Sequence, residues 1–443
     1  MDSTNVNSPA TSIPFFNRLP HEWRRAISAI SMLWIATALG AGLTFLTQAL
    51  LARKLGPSEY GLFASSLSTI TIAASLAGFG LPAYWLQVYG VEGWQANRWL
   101  KPSLRFITFS TTFSLALMVV WAFTGATPDA RPLLLLLLPL VFGVLAVSLI
   151  SSQLRLEERH QALAWWQLIT PGGRLLAVLL LWLLPGVDGR AVAVGFSTVS
   201  LLMAMLAWPP LRAMMHGGIR LYGHGPPPEQ PIAAPEPRMS TLWSLSWAYG
   251  LDASLYTIFF SISTVLLKYL SGNAQAGIFG IALGVMMAIY LIPTTIYQKF
   301  LLSKLHRWAA HDTDKFWTAF RYGSMAMFAF GILIGAALAG TSPWLVPILF
   351  GEKYQQVARV LMVLAICVPV RFLCTVMTTA LLNEKHTRYR VTATGFNALV
   401  VVVFNVLLIP RYHVMGAAFA TVLGEMSSLL SMYLGVRRFH ARR

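Results

Sequence analysis

The sequence predicts an all-α integral membrane protein of about twelve transmembrane helices, arranged as two six-helix bundles. Three observations carry this. Of the 443 residues, 56% are hydrophobic and only 11% charged. A soluble domain carries roughly 25% charged residues, so these few cannot cover a water-soluble surface of this size. The apolar residues gather in blocks such as 26–51 and 132–150. A helix of about 20 apolar residues crosses the roughly 30 Å hydrocarbon core and satisfies its own backbone in lipid. Finally, a single long polar connection divides the blocks into six and six.

In chain order, residues 1–26 form a polar tail, and the apolar block that follows is too long for a signal-peptide h-region. The first helix is therefore expected to stay as an anchor. Spans are expected near 27–50, 60–85, 103–124, 132–152, 161–184 and 190–211, which make the first bundle, 27–211. The connection 212–240 holds Gly225-Pro226-Pro227-Pro228 and further prolines at 231, 235 and 237. Such a segment suits an extended linker. Spans near 241–270, 274–299, 317–340, 357–382, 391–410 and 414–436 make the second bundle, 241–436, and 437–443 is a basic tail.

Lys and Arg orient these spans. The tails and the segments 86–105, 153–160, 212–240, 299–321 and 383–390 hold 23 of the 33. The opposite loops hold seven, and Arg174, Lys268 and Arg371 fall inside spans. The basic face should be cytoplasmic, with both termini inside. The net charge of +17 is thus topological. No soluble basic domain exists to grip nucleic acid, and the partner is the lipid bilayer. Cys367 and Cys374 lie seven residues apart in one block, about 10 Å along a helix. That is too far for a disulfide, and no metal spacing accompanies them, so no metal or organic cofactor is expected. The outer loops are short. A membrane polymerase or ligase needs an extramembrane catalytic surface with clustered Arg, His or Asp, so a transporter is expected rather than an enzyme.

Three stretches resemble the polysaccharide flippase branch of the multidrug/oligosaccharidyl-lipid/polysaccharide (MOP) exporter superfamily. Leu51-Ala52-Arg53-Lys54-Leu55-Gly56-Pro57-Ser58-Glu59-Tyr60-Gly61 is similar to its ARxLGPxxYG turn. Here Gly56-Pro57 stops one helix and Gly61 permits tight packing in the next. Leu270-Ser271-Gly272 followed by Ala276-Gly277-Ile278-Phe279 resembles the connection after span seven. Asn405-Val406-Leu407-Leu408-Ile409-Pro410-Arg411-Tyr412 with Gly416-Ala417-Ala418 looks like the N-x-LLIP-x-Y-x-x-x-GAA pattern, and Glu425 falls where that pattern often carries an acid. Family members often carry another acid near the outer end of span seven, where this chain has Ser263-Thr264. The resemblance implies a MATE-like V shape around a central cavity. It also implies a bacterial inner membrane location and a cargo of isoprenoid-diphosphate-linked oligosaccharide. Alternating access would carry that cargo to the periplasmic leaflet, with possible H+ or Na+ coupling. Polysaccharide polymerase and glycosyltransferases would be the neighbouring partners. The competing readings are a drug or cation exporter, a membrane-bound polymerase or ligase, and a non-transporting scaffold.

A charge at mid-span costs about 2.5–3.5 kcal/mol on insertion scales, so each needs a reason. Arg174, Asp252, Arg371 and Glu425 sit at that depth. Arg174 continues a helical face with Gln167 and Thr170, at i−7 and i−4. The preceding Pro171-Gly172-Gly173 can kink that helix. Arg binds phosphate through a bidentate fork, so Gln167, Thr170, Arg174 and Arg371 are candidate contacts for an anionic headgroup. The other reading makes Arg174 half of an interhelical pair with Glu425 or Asp252. Arg24 and Arg25 open the first span and are candidates to meet an entering diphosphate, or serve only as anchors. Asp252, between Tyr249 and Tyr256 on one stripe, and Glu425, between Thr421 and Ser428, are candidate ion-coupling carboxylates.

Overall fold

The computed structural model describes residues 21–221, 224–225, 235–297, 313–381 and 386–440. Every regular element among them is helical. In order these are α1 (His21–Ala74), α2 (Leu81–Glu92), α3 (Leu100–Thr124), α4 (Ala130–Leu137), α5 (Leu140–Leu156), α6 (His160–Trp182) and α7 (Gly189–Met215). The second half holds α8 (Met239–Ser271), α9 (Asn273–Thr294), α10 (Thr313–Phe350), α11 (Gln355–Leu364), α12 (Cys367–Ala380) and α13 (Thr387–His440).

Nine stretches of helix among these residues are long and apolar enough to cross a bilayer; a tenth is the pair Glu352–Leu364 and Cys367–Ala380, bent by 49°. This differs from about twelve because two helices, α1 and α13, fold back on themselves. The break in α13 is at His413 (φ 51°, ψ −129°). Across it Tyr389 Oη donates to Ser431 O at 2.5 Å, Ser427 Oγ donates to Asn397 Oδ1 at 2.7 Å, and Val401 lies against Gly424. The paired numbers rise on one side as they fall on the other, which is an antiparallel hairpin. In α1 the break is Gly56 (φ 77°, ψ 170°), a conformation that glycine adopts without a Cβ penalty. Pro57 then opens the returning half.

The α1 hairpin clasps α9. A Cβ on Gly61 would lie 1.7 Å from Asn273 O, and one on Gly277 2.3 Å from Pro57 O. Glycine on both sides lets the backbones touch, as the motif around Gly61 predicts. Elsewhere α1 packs on α6, and α8 packs along α13. The helix α7 continues through Pro209-Pro210 to Met215, beyond the expected end of its span. The described parts of the connection after it lie against the 3-10 segment Gly93–Trp99. Ile219 and Leu221 are buried, and Trp94 Nε1 donates to His224 O at 3.2 Å. Both cysteines are free and buried.

Candidate functional site

A cavity of about 430 Å³ lies at mid-span between the α1 hairpin, α6, α7, α8 and α9. Thr44 and Ser68, from opposite arms of α1, both line it; in one straight helix they would stand about 36 Å apart. Most of the lining is apolar, contributed by residues such as Phe63, Leu67 and Met287. Its polar groups include Thr44, Gln48, Tyr60 and Thr264. Among the described residues the lining holds one charged side chain, Arg174, which comes from α6 just after Pro171. Its guanidinium sits over the Phe196 ring, 5.0 Å from the centroid. Its buried Nε has no hydrogen-bond partner, and neither does the Thr264 hydroxyl. A cation over a ring face, with a buried nitrogen left without a partner, is suited to hold an entering anion.

Gln167 and Thr170 share the helix with Arg174 but are not among the lining residues. The Thr170 hydroxyl is buried without a partner. Arg24 and Arg25 lie in the first turns of α1, and their side chains fall outside the described residues. Arg371 is placed differently from Arg174. It stands on α12, 3.5 Å from Glu425. The Phe260 ring lies 4.5 Å from its guanidinium carbon and Tyr290 5.2 Å. Glu425 is fully buried. The pairing that the sequence offers to Arg174 therefore belongs to other arginines. Arg371 takes Glu425, and Arg390 takes Asp252 at 2.7 Å.

The two halves of the chain touch at both ends of the cavity. On the basic face, a Cβ on Gly80 would meet Gly250 N at 2.2 Å, Ser254 Oγ donates to Ser75 O at 3.2 Å, and Phe79 stacks on Trp243 at 5.4 Å. Tyr249 Oη donates to Gln87 Oε1 at 2.6 Å. The Asp252–Arg390 pair joins α8 to α13 within the second half, on the side of α8 turned away from Gly250 and Ser254. On the opposite face Arg53 Nε donates to Leu349 O at 2.8 Å and a second guanidinium nitrogen reaches Ile348 O. Tyr354 Oη donates to Ala52 O at 2.9 Å. Beside them Lys54 bonds the C-terminal carbonyls of α6, and Glu59 accepts from Gly189 N at the start of α7. The tip of the α1 hairpin thus satisfies helix-end groups in both halves.

The profile of the polysaccharide biosynthesis protein family matches residues 27–301. The chain belongs to this family. No curated protein matches it. Among solved structures it is similar to the lipid II flippase MurJ in an inward closed conformation, at 13% identity and a TM-score of 0.69, over 91% of this chain and 87% of that one. A multidrug resistance MATE family transporter of the MOP superfamily, inward-facing, matches at 14% identity and a TM-score of 0.67, over 94% and 98%. A MOP superfamily transporter from Pyrococcus furiosus, described as having a binding pocket of reverse polarity, matches at 16% identity and a TM-score of 0.61, over 93% and 96%. At these identities the likeness establishes the fold, which is that of MOP transporters. The family member is thus a multi-pass membrane protein with a transporter's architecture. Gln48, Tyr60 and Thr264 were not expected at the site. Thr44 and Gln48, at i and i+4, were the available signal on the first span.

Proposed function

We propose that this polysaccharide biosynthesis protein flips an isoprenoid-diphosphate-linked oligosaccharide from the cytoplasmic to the periplasmic leaflet, and that Arg174 holds the diphosphate in the cavity. The observation that carries this reading is the charge of the lining. Among the described residues it contains one cation and no carboxylate. An exporter of cationic drugs is poorly served by such a cavity. Membership in a polysaccharide biosynthesis family supports a saccharide cargo, and MurJ, a flippase of lipid II, shares the fold.

A second, apolar groove adjoins the cavity. It runs between α1 and α9, sharing Ala41, Phe45, Ala288 and Leu291 with it and continuing past Trp34, Ile292 and Ile296. The headgroup can sit at Arg174 while the isoprenoid chain stays in this apolar slot and in lipid. Alternating access then requires the Gly80–Gly250 contact to part on the cytoplasmic face and the Arg53–Leu349 contact to part on the other. Asp252, partly exposed and paired with Arg390, is the better placed coupling carboxylate. Exchange of Arg390 for a proton or Na+ would loosen the packing of α8 on α13. In this reading both termini face the cytoplasm of a bacterial inner membrane. Glycosyltransferases supply the cargo there and a polymerase receives it outside.

Export complementation tests the reading. Arg174→Ala is expected to abolish nearly all export and to leave lipid-linked saccharide accumulating. Arg174→Lys keeps the charge, loses the fork, and is expected to retain part. Full export by Arg174→Ala would sink the assignment.

A further inference from the structure

A second polar site lies outside the cavity. A groove of about 480 Å³ opens between α2 of the first half and α8 and the start of α13 of the second. It shares no lining residue with the cavity. Along α8 the order is Ser244 and Trp247 in the groove, Gly250 and Ser254 in the closing contact, and Thr264 in the cavity. Along the first half the order is the same: Tyr84 to Glu92, then Ser75 to Gly80, then Tyr60 to Ser68. The groove is therefore the antechamber on the basic face, and Gly250 and Thr264 stand about 21 Å apart along α8.

Its chemistry differs from that of the cavity. Gln87 presents an amide whose carbonyl is already held by Tyr249. The Tyr84 hydroxyl is buried beside the groove without a hydrogen-bond partner. Ser244 is exposed, Trp247 half-buried and Arg388 exposed. Glu92 is held in place by Arg98 at 2.9 Å and by Trp99 Nε1 at 3.0 Å. Among the described residues the lining holds one exposed cation, Arg388, and one carboxylate, Glu92, already paired with Arg98. A lone exposed cation is no clamp for a diphosphate, and the polar rim does not suit an acyl chain. Donors and acceptors of both kinds beside an indole face fit a neutral, polyhydroxylated ligand.

We infer that this groove docks the sugar portion of the cargo on the cytoplasmic face before the Gly80–Gly250 contact opens. The inference rests on the flippase reading. The groove selects for the glycan, while Arg174 beyond the contact takes the diphosphate.

The test uses the full chain, purified, and two probes: the lipid-linked saccharide that accumulates in cells lacking this protein, and the same isoprenoid diphosphate stripped of its sugars. The wild type is expected to bind the glycosylated probe more tightly. Trp247→Ala should weaken that binding about tenfold, as loss of an aromatic anchor does, and leave the stripped probe unchanged. Trp247→Phe should keep most of the preference, and Arg388→Ala, on an exposed side chain, should show a smaller selective loss. The inference is overturned if Trp247→Ala weakens both probes alike or neither. If Trp247→Ala does not fold, an Arg388→Ala protein with undiminished preference overturns it. A wild type that binds both probes equally defeats the groove alone. One that binds neither defeats the flippase reading and the groove together.

Discussion

Arg174 and Arg371 look alike in the sequence, yet the fold gives them opposite surroundings. Both are mid-span arginines beside a proline-containing helix start or kink. Arg174 faces open space, with a ring on one side and a nitrogen left without a partner. Arg371 is enclosed by Phe260 and Tyr290 and shares its charge with Glu425 at 3.5 Å. The difference teaches that depth in the membrane marks a cation as costly but does not say what offsets the cost. At Arg371 the carboxylate comes from the returning arm of α13, 54 residues away in sequence. Among the described residues no carboxylate pairs with Arg174, and in the proposed function the cargo takes that place.

The largest effect that separates the two is on stability. Arg371→Ala strands Glu425 in a site where it is fully buried; breaking a buried pair by removing one partner costs about 3–5 kcal/mol. The melting temperature of detergent-purified protein should fall by several degrees, and Glu425→Gln added to it should recover part of the loss. Arg174→Ala should melt close to the wild type. Equal drops in the two single variants would erase the distinction.

Transport should respond next to the contacts that close the cavity. A Cβ on Gly80 cannot fit against Gly250 N, so Gly80→Ala is expected to hold the contact on the basic face open. A cysteine at Thr44 would then react faster with a thiol reagent added from that face, and export would fall. Unchanged labelling would show that this contact is not the barrier.

The smallest effect belongs to the ion pair between α8 and α13. Asp252 and Arg390 keep 25% and 18% of their side chains exposed, and ion pairs near solvent contribute about 1 kcal/mol or less. Asp252→Asn should therefore leave melting within about a degree of the wild type while removing any dependence of export on the proton or sodium gradient. Gradient-dependent export by Asp252→Asn would move the coupling site elsewhere.

Much of the architecture was legible because lipid imposes it. Block length gave the spans, and Gly56-Pro57 and the Pro410 to His413 stretch marked where α1 and α13 turn back. Gly61 was legible as a close approach, and its contact with Asn273 shows why. The site was less legible. Arg174 stood out by depth alone, but Gln167 and Thr170, read as one stripe with it, are not in the cavity lining. Helical spacing puts residues on one face without saying how far along the axis a cavity extends. Arg390 read as a loop cation, since its partner Asp252 lies 138 residues away and only packing brings them together. The same holds for Thr264, whose polar face means little until α9 and the α1 hairpin surround it.

The proposed anion site is Arg174. Its most direct test is the affinity of purified protein for an isoprenoid diphosphate without sugars, measured for the wild type, Arg174→Ala and Arg371→Ala. Loss of a bidentate charged contact is expected to weaken binding at least about tenfold in Arg174→Ala. Folded Arg371→Ala protein should bind like the wild type. Wild-type affinity in Arg174→Ala, or a loss confined to Arg371→Ala, would contradict the account.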